Sequence, residues 1–179
     1  MIPNKKILFL HVPKTGGTSI IKLLEKNNIS ILKYDNIRGL NKHSTLQELY
    51  DFGFEETYNI SIVRNPFDRL ISFYNFFGVK EYSKLSFDEY INKIEDFHMW
   101  IRPAYQFFTL NGEYSLDVLM KLENLNEDVK KLCDKFSLED REVEVLNTAH
   151  TIRHFTYTEK QKQKVYDVFY QDFKFFDYS

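Results

Sequence analysis

Residues 7–19 read ILFLHVPKTGGTS, and their reading decides the fold. Ile7-Leu8-Phe9-Leu10 is an unbroken apolar run, the pattern of a strand buried on both faces. The chain then turns through Pro13-Lys14-Thr15-Gly16-Gly17 and closes on Thr18-Ser19. Ile20, Ile21, Leu23 and Leu24 follow at helical spacing. Strand, Gly-rich turn and helix start form the geometry of a phosphate cradle. Glycines let the backbone approach an anion, and successive N–H groups turn inward as a nest. The positive end of the helix favours negative charge. Lys14 adds a mobile cation, and Thr15, Thr18 and Ser19 add hydroxyl groups. The pattern is not the Walker A form, because the lysine precedes the glycines.

Working outward, Ile29–Tyr34 reads as a second short strand. Ser44-Thr45-Leu46-Gln47 matches a capping box, predicting a helix from Ser44 and placing His43 on the loop before it. Tyr58–Val63 is the next strong strand and ends at Arg64-Asn65-Pro66. Asn65 suits an N-cap and Pro66 the first helical position. The helix from Pro66 to about Phe77 carries Phe67, Leu70, Ile71 and Tyr74 on its apolar face. Asp68, Arg69, Ser72 and Asn75 take the other face. Ser86-x-x-Glu89 opens a helix to about Phe97, followed by a loop with Trp100 and Arg102. Tyr105–Leu110 and Leu116–Leu122 are candidate strands about an Asn111-Gly112 turn. Asn124-x-x-Glu127 begins a helix to about Phe136, 139–147 suits a short strand, and Thr158-x-x-Gln161 caps a last helix.

Alternating strands and helices predict an α/β, P-loop-like three-layer fold, a mostly parallel sheet flanked by helices. The 179 residues suit one domain over 1–179. Ligands in such sheets sit at the carboxyl ends of strands. The turn after the first strand and Arg64 both fall at such an end.

Net charge is −2, with 17 Phe and 12 Tyr. That balance speaks against nucleic acid as a partner, since nucleic-acid binders carry clustered Lys and Arg. Cys133, the single cysteine, cannot form an intramolecular disulfide and shares a helical face with Leu125, Val129, Leu132 and Phe136. No apolar run approaches the ~18 residues of a membrane span. The first strand begins close to residue 1, so no signal peptide is expected and the reading is cytoplasmic.

His11-Val12-Pro13-Lys14-Thr15-Gly16-Gly17-Thr18-Ser19 resembles the 5′-phosphosulfate loop of sulfotransferases, in particular their carbohydrate-type branch. Residues 62–74, IVRNPFDRLISFY, resemble that family's 3′-phosphate motif, an arginine ending a strand and a serine eight residues on. The stretches 42–45 and 120–125, and the tail from Arg153-His154 to Tyr178, also resemble small single-domain members.

The resemblance implies a donor, 3′-phosphoadenosine 5′-phosphosulfate (PAPS), and a product, 3′-phosphoadenosine 5′-phosphate (PAP). It implies transfer without a metal, and the chain shows no His/Cys ligand spacing. The acceptor it implies is a hydroxyl, on a saccharide by family analogy. Lys14 would stand at the leaving oxygen. Lys14, Thr15, Gly16, Gly17, Thr18 and Ser19 would hold the 5′ end, and Arg64 and Ser72 the 3′-phosphate. Arg153 and His154 would reach the 3′-phosphate or adenine side, and His43 would be the base.

Each residue also has a structural reading. Arg64 can pair with Asp68, Ser72 can be solvated, His43 can pack on the Leu46/Tyr50 face, and His11 reads as structural. Two other functional classes share part of the pattern. A small-molecule P-loop kinase would carry its lysine after the last glycine. A non-catalytic nucleotide-binding domain would keep the cradle and need no base.

Overall fold

The computed structural model describes residues 6–34, 37–77, 85–97, 101–139, 141–143 and 154–179. The chain divides into two compact units. The first comprises residues 1–63 and 106–147, the second 64–105 and 148–179.

The first unit is built on a parallel sheet. Strands β1 (Ile7–Leu10), β2 (Tyr58–Val63) and β5 (Val118–Lys121) lie in the order β1-β2-β5. Leu10 pairs with Ser61 and Val63 with Lys121, so the strands point one way and end at one edge. Ile7, Phe9, Ile60, Ile62 and Met120 form one face. Packed on it are α1 (Gly17–Lys26), through Ile20, Leu23 and Leu24, and α5 (Leu125–Phe136), through Val129, Leu132, Cys133 and Phe136. Leu8 and Leu10 on the opposite face are also fully buried. That is why β1 reads as a continuous apolar run rather than an alternating one. This is the mixed α/β arrangement the sequence predicts, a central parallel sheet flanked by helices.

Several local readings need correction. Ile29–Tyr34 does not form a strand: it meets β1 in a single bridge, Ile7 with Ile31. Tyr34 then turns its hydroxyl onto the Phe9 carbonyl at 3.2 Å, which uses the side chain where a further ladder step would need the main chain. Helix α2 spans Leu46–Asp51, and its N-cap is Thr45, not Ser44. Thr45 Oγ1 accepts from Glu48 N at 3.2 Å, and Glu48 accepts from Thr45 N at 2.8 Å. A carboxylate is the stronger acceptor and interacts favourably with the helix N-terminus, so it displaces Gln47 from that role. Gln47 instead accepts from Asn111 N at 2.8 Å. Asn111 and Gly112 both have positive φ, 51° and 82°, the requirement of a two-residue hairpin turn. That turn joins β3 (Thr109–Leu110) to β4 (Glu113–Tyr114). Half of the expected strand over Tyr105–Leu110 lies in a 3-10 turn, Ala104–Phe107, and the strand itself is confined to Thr109–Leu110.

At the start of α5 the expected box is not made, since Asn124 offers no side-chain cap. Asp128 instead accepts from Lys121 N at 2.9 Å. Of the short strand expected over 139–147, residues 141–143 are irregular and 144–147 lie outside the described residues.

The second unit is helical. It contains α3 (Pro66–Phe77), α4 (Phe87–Asn92), α6 (Glu159–Val168) and α7 (Tyr170–Phe176). Asn65 Oδ1 accepts from Phe67 N at 2.9 Å and so caps α3. Capping boxes at Ser86/Glu89 and Thr158/Gln161 open α4 and α6, each cap contributing about 1 kcal/mol. The core joins Leu70, Phe73, Tyr74, Tyr90, Ile91, Val165, Phe169 and Phe173.

Arg69 is not on a solvated face of α3, as its charge suggests, but 1 % exposed. It lies one turn before Phe73, with its guanidinium 5.6 Å from that ring. Nη2 donates to the Arg102 carbonyl at 3.1 Å, and Nη1 lies 3.9 Å from Asp172. Burial lowers the Arg69 pKa to about 10, opposed chiefly by Asp172, and the group remains a cation at neutral pH. Asp172 also accepts from Ala104 N and Tyr105 N, both at 2.8 Å.

Candidate phosphate loop and catalytic base

The turn after β1 is held by its own side chains. Lys14 has φ 66°, a left-handed conformation uncommon in a residue with a Cβ. Gly16, the α1 N-cap, has φ 85°. Between them Thr15 is fully buried and donates its hydroxyl to the Val12 carbonyl at 2.9 Å. Thr15 therefore braces the loop, and what it can offer an anion is its main-chain N–H. Gly16 has no side chain with which to cap α1. Within the first turn Ser19 N donates to the Gly16 carbonyl at 3.0 Å. Lys14 and Thr18 are half-buried, and Ser19 is buried in the first turn.

Gly17 has a packing reason to be glycine. A Cβ there would lie 2.5 Å from Cδ2 and 2.8 Å from Nε2 of His11. Gly17→Ala is expected to lose about 1–3 kcal/mol by overpacking, read as a lowered midpoint in thermal unfolding. An unchanged midpoint would show that the His11 ring yields freely.

His43 is tied to the same loop. Its Nδ1 lies 2.8 Å from the His11 carbonyl oxygen. A carbonyl can only accept, so the neutral ring carries its proton on Nδ1 and its lone pair on Nε2. The His43 main-chain N donates to Asn41 Oδ1 at 2.8 Å, and the His11 and His43 ring centroids are 4.9 Å apart. His11 is 9 % exposed, and burial, then His43, then Lys42 hold its pKa down to about 3. Its imidazole is neutral across the physiological range.

The loop after β1, the α1 N-terminus and His43 are therefore brought together within the first unit. Arg64 directly follows the last residue of β2 in the chain, and both it and Ser72 on α3 are half-buried. Among the described residues Arg64 makes no ion pair, with Asp68 or any other acid. Arg153 and Trp100 lie outside the described residues, and His154 is exposed. His11, read from the sequence as structural, sits between Gly17 and His43, and its place just after β1 carries no mark of what its ring touches.

The strand β1 thus ends in a turn that holds Lys14 in a left-handed conformation, with the His43 imidazole tied to it through the His11 carbonyl. Residues 1–179 match the sequence model of the sulfotransferase family. The chain belongs to that family, whose members transfer sulfuryl groups. No curated protein and no solved structure gives a match. No helix among the described residues is long and apolar enough to cross a membrane.

Proposed function

We propose that this protein transfers a sulfuryl group from PAPS to a carbohydrate hydroxyl, as one functional domain over residues 1–179, and works in the cytoplasm. The observation that supports this reading is the loop itself, where Lys14 precedes the start of α1 and the His11 carbonyl holds His43 Nδ1 at 2.8 Å. The acceptor oxygen attacks sulfur in line, the acceptor proton passes to His43 Nε2, and the sulfur–oxygen bond to the 5′-phosphate breaks. The electron pair goes to the phosphate oxygen, and PAP leaves. Lys14 meets the charge that grows there, and such stabilisation is worth most in the transition state. Gly16, Gly17, Thr18, Ser19 and the Thr15 N–H hold the 5′-phosphate. Arg64 grips the 3′-phosphate with its planar fork, and Ser72 adds a hydroxyl. Arg153 is assigned to the same end of the donor.

The test is transfer of labelled sulfate from PAPS to a cell-extract glycan fraction and to small alcohols, with mass spectrometry of the product. Sulfated saccharide is the expected product. Sulfation of small alcohols alone would overturn the acceptor class, and no transfer to any of them the catalytic reading. Arg64→Ala is expected to weaken PAPS binding by at least ~10-fold, in line with loss of a charge-assisted hydrogen bond. Binding of a donor lacking the 3′-phosphate should hardly change. Equal weakening of both donors in titration calorimetry would remove Arg64 from the 3′ site.

A further inference from the structure

We infer that His11 is a positioning residue: it orients His43 as a base and ties it to the phosphate loop. This rests on the assignment of His43 above and goes beyond it, because His11 touches neither donor nor acceptor in the proposed reaction.

Two parts of one residue act on one partner. The His11 carbonyl accepts the Nδ1 proton of His43 and so leaves the Nε2 lone pair as the proton acceptor. The His11 ring lies against the His43 ring, with centroids 4.9 Å apart. It also fills the space a Gly17 Cβ would need. The ring is thus a spacer between the first residue of α1 and the base.

The chemistry favours a neutral ring at this position. During transfer His43 gains a proton and becomes a cation. A charged neighbour would make that step harder, and the buried His11 adds no charge. Its carbonyl oxygen, at the Nδ1 proton, becomes a stronger hydrogen-bond partner as the imidazolium forms. An orienting group of this kind acts on the base, so its loss appears in turnover more than in donor binding.

The test uses the full chain with His11→Ala, His11→Phe, His43→Ala and the His11→Ala/His43→Ala double variant. Turnover is read as PAP formed from PAPS with the cell-extract glycan fraction, and donor affinity by calorimetry with PAP. His11→Ala keeps the main-chain carbonyl and removes only the ring, so it tests the spacer; kcat should fall by about 10–100-fold, the cost of a misplaced catalytic group. PAP affinity should change less than about threefold, with His11→Phe, which keeps a ring, recovering part of the loss. The double variant should be no slower than His43→Ala, because a residue acting through another adds nothing once that other is gone.

Additive losses in the double variant would overturn the inference, as would an unchanged kcat or a fall in PAP affinity that matches the fall in kcat. Full turnover in His43→Ala would instead overturn the base assignment on which it rests. If His11→Ala does not fold, nitrogen NMR of the 15N-histidine-labelled wild type decides. A neutral His43 protonated on Nδ1 is expected, and protonation on Nε2 overturns the inference.

Discussion

Lys14→Ala should lower kcat by about 10²–10³-fold, the cost of losing one donor that meets transition-state charge. PAPS affinity should fall much less. The bridging oxygen carries little charge in bound PAPS and gains it only as the bond to sulfur breaks. An ammonium at that oxygen therefore distinguishes transition state from ground state. The left-handed backbone at Lys14 fits a side chain whose direction matters more than the comfort of its main chain. Lys14→Arg should restore little, because a planar fork differs from a compact ammonium in reach and geometry. The check is paired measurement of kcat and of PAPS binding. An unchanged kcat with a large loss in affinity would reduce Lys14 to a ground-state contact.

The second large effect is on stability. Asp172→Ala should cost about 3–5 kcal/mol, since it leaves Arg69 as a buried cation without its counter-charge. The Ala104 and Tyr105 N–H groups lose their acceptor in the same step. Arg69→Met with Asp172→Ala should recover part of that loss, because the stranded charge is gone. It should not recover all of it, since the two N–H groups remain orphaned. Denaturant midpoints of the two single variants and the double variant check this. A single Asp172→Ala variant within about 1 kcal/mol of wild type, the range of an exposed pair, would show that the charge is not truly confined.

Much of this was legible because local chemistry decided it. Asn65-Pro66 marks the start of α3 and the end of β2 without ambiguity, as only one boundary satisfies both residues. Asn111-Gly112 marks its hairpin for the same reason. What stayed hidden depends on distant partners. Arg69 looks like surface on a helical wheel, and the acid that makes its burial tolerable lies about a hundred residues later. The α2 cap moved by one residue because two overlapping boxes compete, and only the relative strength of amide and carboxylate separates them. In the candidate site, the strand, the Gly-containing turn and the helix start could be read from residue order. The role of Thr15 as a brace and that of His11 beside His43 could not, since both come from contacts made after the chain has folded.

The parallel sheet has a consequence for how the chain reaches its native state. Leu10 pairs with Ser61, and Ser61 with Leu119, so each ladder joins strands about fifty to sixty residues apart. The first unit is also discontinuous in the chain. Its phosphate loop is synthesised first, yet β1 gains its partner only with β2, and the sheet closes only after Lys121 has been made. Contacts so distant in sequence demand large loop closures before they return any stabilisation, and they slow folding. Until then the apolar run of β1 has no strand to pair with, so aggregation during synthesis competes with folding at the stretch that leads into the Lys14 turn.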